Sequence, residues 1–259
     1  MPKPPFPWRG WVAAGVVLAI LVWSAQGTGA SLKAFAEGVP QMLAYFQKLS
    51  PSHKPWPLDY LPEIKDRLLE TVKISFAATV IGAALALPFV MVATRPLAAN
   101  GFVYTLGRGF LNLIRTIPDL VLANILVAGF GLGPLPGLLA LIIFTFGVVT
   151  KLLADTIETV DAGPMEAIAA AGGTRLQRAV FAIFPQIAPD YIAYSLYALE
   201  INVRVAAVLG LVGAGGIGQI LYRDINFFMY SRVGMIIAAT FVVVFLIDST
   251  SSWLRSKLV

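Results

Sequence analysis

The chain has 259 residues, of which 58% are apolar and only 13% charged, whereas a soluble domain carries about 25% charged residues. A water-soluble fold of this size cannot hide so much apolar surface, which excludes a soluble enzyme and a disordered tail. The net charge of +5 is spread singly rather than in runs, which argues against nucleic acid, and the absence of cysteine excludes disulfides and thiolate sites.

A mean hydropathy of +0.80 points to the bilayer. A spanning helix needs about 20 mostly apolar residues, and the period-2 alternation of a barrel is absent. Six stretches come near that length, so the expected fold is an all-α integral membrane protein with six transmembrane helices. The first stretch, Trp11 to Ala25, is short. Lys3 and Arg9 ahead of it resemble the start of a signal peptide, but no A-x-A tripeptide sits where cleavage would fall. Retained as a span, it belongs to an N-terminal segment of residues 1–30. Residues 31–62 form an external linker. Within it Leu32, Phe35, Val39, Leu43 and Phe46 recur at helical spacing, with Lys33, Glu37 and Lys48 among them. That pattern predicts an amphipathic helix, either lying in the membrane interface or packed on the outer rim of the bundle. Pro40 would start or kink it. The single histidine, His53, falls in a Pro-rich loop and is expected to be solvated.

Residues 63–259 form the main transmembrane domain. Its second span runs from Leu69 to Thr94, the third from Phe102 to Phe130 and the fourth from Leu135 to Ala154. Charges at membrane depth are costly and usually face the bundle interior or water. In the third span Arg115 and Asp119 lie four apart, with Pro118 freeing backbone groups between them. The stretch from 155 to 185 is too polar to span. Asp161-Ala162-Gly163-Pro164 reads as a helix start, and Met165 to Ala171 as an Ala-rich helix. Gly172-Gly173-Thr174 breaks it, and Thr174 caps a second short helix carrying Arg175, Leu176, Arg178, Val180 and Phe181. Pro185 closes this unit and opens the fifth span, Ile187 to Val212.

In the fifth span Glu200 and Arg204 are again four apart, with Asn202 turned elsewhere. The two pairs read either as self-neutralising intrahelical ion pairs or as arginines lending positive potential to an anion path. Gly213, Gly215 and Gly218 formally match G-x-G-x-x-G. An apolar helix rather than a strand precedes them, so Gly213, Gly215, Gly216 and Gly218 are expected to make a tight re-entrant turn at an outer gate. The sixth span, Val233 to Leu254, carries Asp248 and Ser249 to Ser252, small polar residues suited to helix packing. With the N-terminus inside, nine Lys and Arg fall on the cytoplasmic side and seven outside. That bias favours both termini in the cytoplasm.

The polar stretch resembles the signature loop of the inner-membrane permeases of binding-protein-dependent ABC importers, which reads Glu-Ala-Ala, three residues, Gly, nine residues, Ile-x-Leu-Pro. This chain supplies Glu166-Ala167-Ile168, Gly172 and Ala182-Ile183-Phe184-Pro185 at that spacing, with apolar replacements at Ile168, Ala182 and Phe184. Arg115-Thr116-Ile117-Pro118-Asp119-Leu120 and Asn202-Val203-Arg204 followed by Val208 to Gly218 are similar to the phosphonate subgroup. The resemblance implies the type I permease fold and a phosphonate, phosphite or phosphate substrate. It further implies a bacterial inner-membrane location, a second copy of the chain, two ATP-binding subunits and an extracytoplasmic binding protein. Glu166, Ala167, Ile168, Gly172 and Pro185 would then dock the ATPases. No G-x-x-x-x-G-K-[ST] occurs, so ATP and Mg would be bound by the partner chain, and no cofactor or catalytic residue is expected here. A self-contained secondary transporter or channel would want ionisable relays or repeats. An intramembrane enzyme would want a constellation that only Asp248 and its serines approach.

Overall fold

The computed structural model describes residues 8–28 and 31–257. The chain divides into two units, residues 1–55 and 56–259. In the first, α1 (Trp8–Thr28) is longer than the apolar run suggested, and Gly10–Thr28 is long and apolar enough to cross a membrane. Lys3 and residues 29–30, part of the signal-peptide comparison, lie outside the described residues. The second helix, α2 (Leu32–Leu49), starts where Ser31 Oγ accepts from the Ala34 N–H at 3.0 Å. Pro40 sits inside α2 and neither starts nor ends it. Phe35, Met42, Leu43 and Phe46 stay exposed along its apolar side.

The second unit is built around three long helices. A 3-10 turn at Leu58–Tyr60 leads into α3 (Leu61–Ala93), whose 33 residues exceed the predicted apolar run because its first turns carry Glu63, Lys65, Asp66, Arg67 and Glu70. The helix therefore begins before the hydrocarbon does. It packs on α6 (Pro134–Ile157) and α9 (Phe184–Leu209), and the same two helices pack on each other. Small residues permit the approach: a methyl at Gly82 of α3 would stand 2.6 Å from Thr145 Cβ of α6. Where the three meet, the fully buried Asn202 donates from Nδ2 to Thr79 Oγ1 at 2.8 Å and to Thr145 Oγ1 at 2.7 Å. A polar group in an apolar interior is costly unless bonded, so this bridge pins one register of the three helices.

Apolar clusters fill the spaces above and below that bridge. Ala86, Val90, Leu153, Ile157, Ile183 and Ile187 pack at the end where α3 and α6 finish. Ile64, Leu68, Ile217, Ile220 and Ile236 pack at the opposite end.

The predicted third span is two helices. The first, α4 (Gly101–Thr116), and the second, α5 (Asp119–Phe130), meet at 85°. Pro118 explains the break: it disfavours helical geometry in the residue before it, and Ile117 is extended at φ −80°, ψ 119°.

The chain closes with α10 (Ile217–Asn226) and α11 (Tyr230–Arg255). Arg223 of α10 clasps the start of α3, donating to Glu63 at 3.0 Å and to the Tyr60 hydroxyl at 2.6 Å while pairing with Asp224. Burial opposes the Arg223 charge, but the Asp224 and Glu63 carboxylates hold its pKa above the ordinary arginine value.

Candidate functional site

The stretch between α6 and α9 folds as its residues suggest. Asp161 Oδ1 accepts from the Gly163 N–H at 2.9 Å, and α7 (Gly163–Ala170) follows with Pro164 in its first turn. It ends as the glycines require. The Gly172 N–H donates to Ala169 O at 3.0 Å and the Gly173 N–H to Ile168 O at 2.8 Å, which is a Schellman closure with Gly172 left-handed at φ +81°. Thr174 and Gln177 then form a reciprocal capping box at α8 (Arg175–Arg178).

A π-helical turn, Ala179–Ile183, carries the chain without interruption into α9. Pro185 lies in the first turn of α9 and so opens that helix as expected, although the winding from α8 through the π-helical turn leaves no break there. No residue of α7 is buried. Glu166 and Ala167 are exposed, Ile168 is half-buried against the loop, and Gly172 has open space around it. Gln186 Nε2 reaches back to Asp161 O at 3.3 Å, which ties the loop's two ends.

Beside its base, Arg108 of α4 donates to Asp155 at 3.2 Å and to Glu158 at 2.8 Å at the end of α6. The loop is therefore an exposed lobe of small side chains braced on the long helices.

The four intramembrane charges sit differently from the predicted intrahelical pairs. Because the chain bends at Pro118, Arg115 and Asp119 belong to different helices and form no ion pair with each other. The stem of Arg115 lies over Gly147 of α6. Both residues line a cavity of about 450 Å³ with Phe144 and Gly147. Glu200 and Arg204 do not pair either. Glu200, 6% exposed, accepts from Arg255 of α11 at 2.7 Å, and Arg204 faces Asp248 of α11 at 3.6 Å. A helix seen from its sequence shows only neighbours three or four residues away, so a partner some fifty residues on was not legible. The sequence therefore points to Asp248 as a helix-packing residue but not to its pairing with Arg204, and it gives no signal for Arg255 as the partner of Glu200.

The fold does bring Asp119 and Arg204 to one pocket, of about 350 Å³, with Pro118 and Val208. Arg115, Asp119 and Arg204 thus line adjoining cavities at the helix break, while Glu200 is buried behind them.

Truncating Arg255 to alanine strands the Glu200 carboxylate and is expected to cost about 3 kcal/mol. Removing both charges together as Glu200→Gln/Arg255→Gln costs much less. Thermal unfolding of the two purified variants reads the difference.

The glycine turn is tightly packed: Gly215, Gly216 and Gly218 are buried and Gly213 half-buried. Gly213, Gly215 and Gly216 adopt φ of +86°, +87° and +72°. Gly213 O accepts from the Gly133 N–H at 2.9 Å, and the Ile217 N–H donates to Thr71 Oγ1 at 2.8 Å. A methyl at Gly216 would stand 2.5 Å from that hydroxyl. Gly218 lies so close to Ala207 O and Gly210 that no side chain fits. The turn is thus wedged between α3 and α6, and it aims α10 back across the start of α3.

A family model described as "binding-protein-dependent transport system inner membrane component" matches residues 79–258, which takes in the loop, the helix break and the glycine turn. The chain belongs to this family.

Within the permease family it is 40% identical over 190 residues to the phosphate-import permease protein PhnE of Mycolicibacterium smegmatis, covering 73% of this chain and 36% of that one. The chain thus spans just over a third of the length of that relative. It is 37% identical to the putative phosphite transport system permease protein HtxE of Stutzerimonas stutzeri, over 78% of each chain. Among solved structures, a chain of the methionine ABC transporter MetNI in an inward-facing form superposes with a TM-score of 0.66. The identity is 21%, and the match covers 76% of this chain and 96% of that one. The fold is that of the type I ABC importer permease: among the described residues the regular structure is all-helical, with five helices long and apolar enough to span, or six when the bent pair counts as one.

Proposed function

We propose that this permease carries a phosphorus oxyanion (phosphonate, phosphite or phosphate) across the membrane, driven by ATP hydrolysis in a partner subunit. The reading rests on one observation above all: relatives named for phosphate and phosphite import share 37–40% of their residues with this chain. In this reading both termini face the cytoplasm of a bacterial cell and the chain pairs with a second copy of itself. Two ATP-binding subunits, which hold ATP and Mg, grip the lobe at Glu166, Ala167, Ile168 and Gly172, with Pro185 at its base. An extracytoplasmic binding protein delivers the anion. Arg115 and Arg204 lend positive potential to the path beside Asp119, with Arg204 partly offset by Asp248 and Glu200 held by Arg255 behind them, and the turn at Gly213, Gly215, Gly216 and Gly218 supports the outer gate.

A small-residue helix ended by a left-handed glycine suits insertion into a partner cleft, and rigid α6 and α9 carry any tilt of the lobe inward. The test is purification of the permease with its companion chains into liposomes. An ATP-hydrolysing chain should co-purify. Its activity should rise several-fold with binding protein loaded with methylphosphonate, phosphite or phosphate, and not with sulfate. Absence of an ATPase chain would end the importer reading, while stimulation by a non-phosphorus ligand would overturn the substrate class.

A further inference from the structure

Asp119 stands between two cavities, each of which holds an arginine. On one side it shares a space of about 350 Å³ with Arg204 and with Val208 and Leu209 of the last turn of α9, next to the glycine turn. On the other it shares a space of about 450 Å³ with Arg115 and a wall of α6 within residues 143–148. Helix α6 starts at the same glycine turn, where Pro134 packs against Gly215. At 1.5 Å per residue that wall lies roughly 14–21 Å along α6 from the turn. The two cavities therefore follow one another in depth, and both open onto Asp119.

The charges around Asp119 are few. Neither its carboxylate nor the Arg115 guanidinium forms a hydrogen bond or an ion pair among the described residues. Arg204 is partly matched by Asp248 at 3.6 Å, and Glu200 is held by Arg255. The α6 wall carries no titratable group, and neither does the 3-10 turn Gly210–Val212, which also packs on α5. A passage lined by two arginines thus has one unmatched carboxylate between them.

An ionised carboxylate only accepts hydrogen bonds. It repels a bare anion, but it accepts from an anion that carries a hydroxyl. A phosphorus oxyanion carries one in its monoanion and loses it in a second ionisation, which falls at about pH 6 for phosphate esters. Sulfate has no such proton near neutral pH. We infer that Asp119 sets which ionic form passes: the monoanion of a phosphorus oxyanion donates its P–OH to the Asp119 carboxylate while Arg115 holds its charged oxygens, and dianions and sulfate are turned back. Both bonds are charge-assisted and hence strong. The selection by Asp119 rests on phosphorus oxyanions being the transported class.

The test is uptake by liposomes carrying the complete complex, with the binding protein kept saturated, between about pH 5 and about pH 9, either side of the second ionisation. Wild-type uptake of phosphate is expected to fall about tenfold or more across that range, as the charge-assisted bond gives way to repulsion. The fall should follow the ligand, coming at lower pH for the more acidic phosphite than for methylphosphonate. Asp119→Asn puts an amide there that both donates and accepts, so its uptake should change less than about threefold over the same range. Asp119→Glu keeps the carboxylate and should keep the fall. Asp66→Asn removes an equal charge from the exposed side of α3 and should also follow wild type. Asp119 bonds to no other side chain among the described residues, so its substitution leaves the fold in place. A flat wild-type profile, or the same fall in Asp119→Asn as in wild type, overturns the inference while uptake itself persists. Absence of wild-type uptake of phosphate, phosphite and methylphosphonate at every pH would instead remove the substrate class, and the inference with it.

Discussion

Gly172→Asp is expected to abolish ATP-driven uptake while the chain still inserts and folds. The geometry makes this a test of contact with a partner rather than of folding. Gly172 holds a left-handed φ of +81°, yet a side chain there would meet nothing within 4 Å. The cost to the isolated chain is confined to backbone strain, roughly 1–2 kcal/mol, and aspartate tolerates that region better than most residues. Any larger effect must come from what fills the open space. If a partner cleft closes around the lobe, a carboxylate in it prevents seating, so stimulated ATP hydrolysis and uptake fall together. Gly172→Ala carries the strain without the charge or bulk and should keep most of the coupling. Glu166→Lys, a reversed charge on the exposed face of α7, should fail as Gly172→Asp does. The neighbouring glycine supplies the contrast: a methyl at Gly173 would run into the Ile168 side chain, so Gly173→Ala damages the lobe itself and lowers thermal stability. Liposome uptake and unfolding midpoints read both effects. Normal uptake by both Gly172→Asp and Glu166→Lys would remove the docking role.

This lobe was legible because its signals are local. The proline start, the glycine closure and the Thr174 cap each act within a few residues, and the structure places them where the spacing implied. The spans were legible for the same reason, since hydropathy averages over neighbours. Pro118 shows where that averaging fails. The apolar run continues across it, yet one proline turns the chain through 85°. The charge partners failed more deeply. Four-residue spacing on a helix permits a pair, but α11 offers Asp248 to Arg204 and Arg255 to Glu200, and only the crossing of two distant helices decides between the arrangements. Asn202 is the intermediate case. A lone amide in an apolar helix signals a buried bond, but nothing in the sequence nominates Thr79 and Thr145 as its acceptors.

Neutralising the Arg204–Asp248 pair separates the two roles left to Arg204. Both side chains are about half exposed and 3.6 Å apart, and pairs of that kind contribute about 0–1 kcal/mol. Arg204→Gln/Asp248→Asn removes both charges without stranding either, so the unfolding midpoint should barely move. Transport should not be spared if Arg204 serves the anion. At an effective dielectric near 20, a unit charge some 8 Å from a passing monoanion is worth about 2 kcal/mol. The carboxylate 3.6 Å away cancels part of that, leaving on the order of 1 kcal/mol and hence a roughly five- to tenfold slower uptake when the guanidinium is lost. Asp248→Asn alone then gives the opposite sign. It unmasks Arg204 toward the pocket shared with Asp119, so the anion is held more tightly there and uptake saturates at lower substrate. Uptake by liposomes carrying the complete complex, measured against phosphate and phosphite concentration, reads all three. Equal uptake in wild type, the neutral double variant and Asp248→Asn would show that the pair serves only to join α9 to α11.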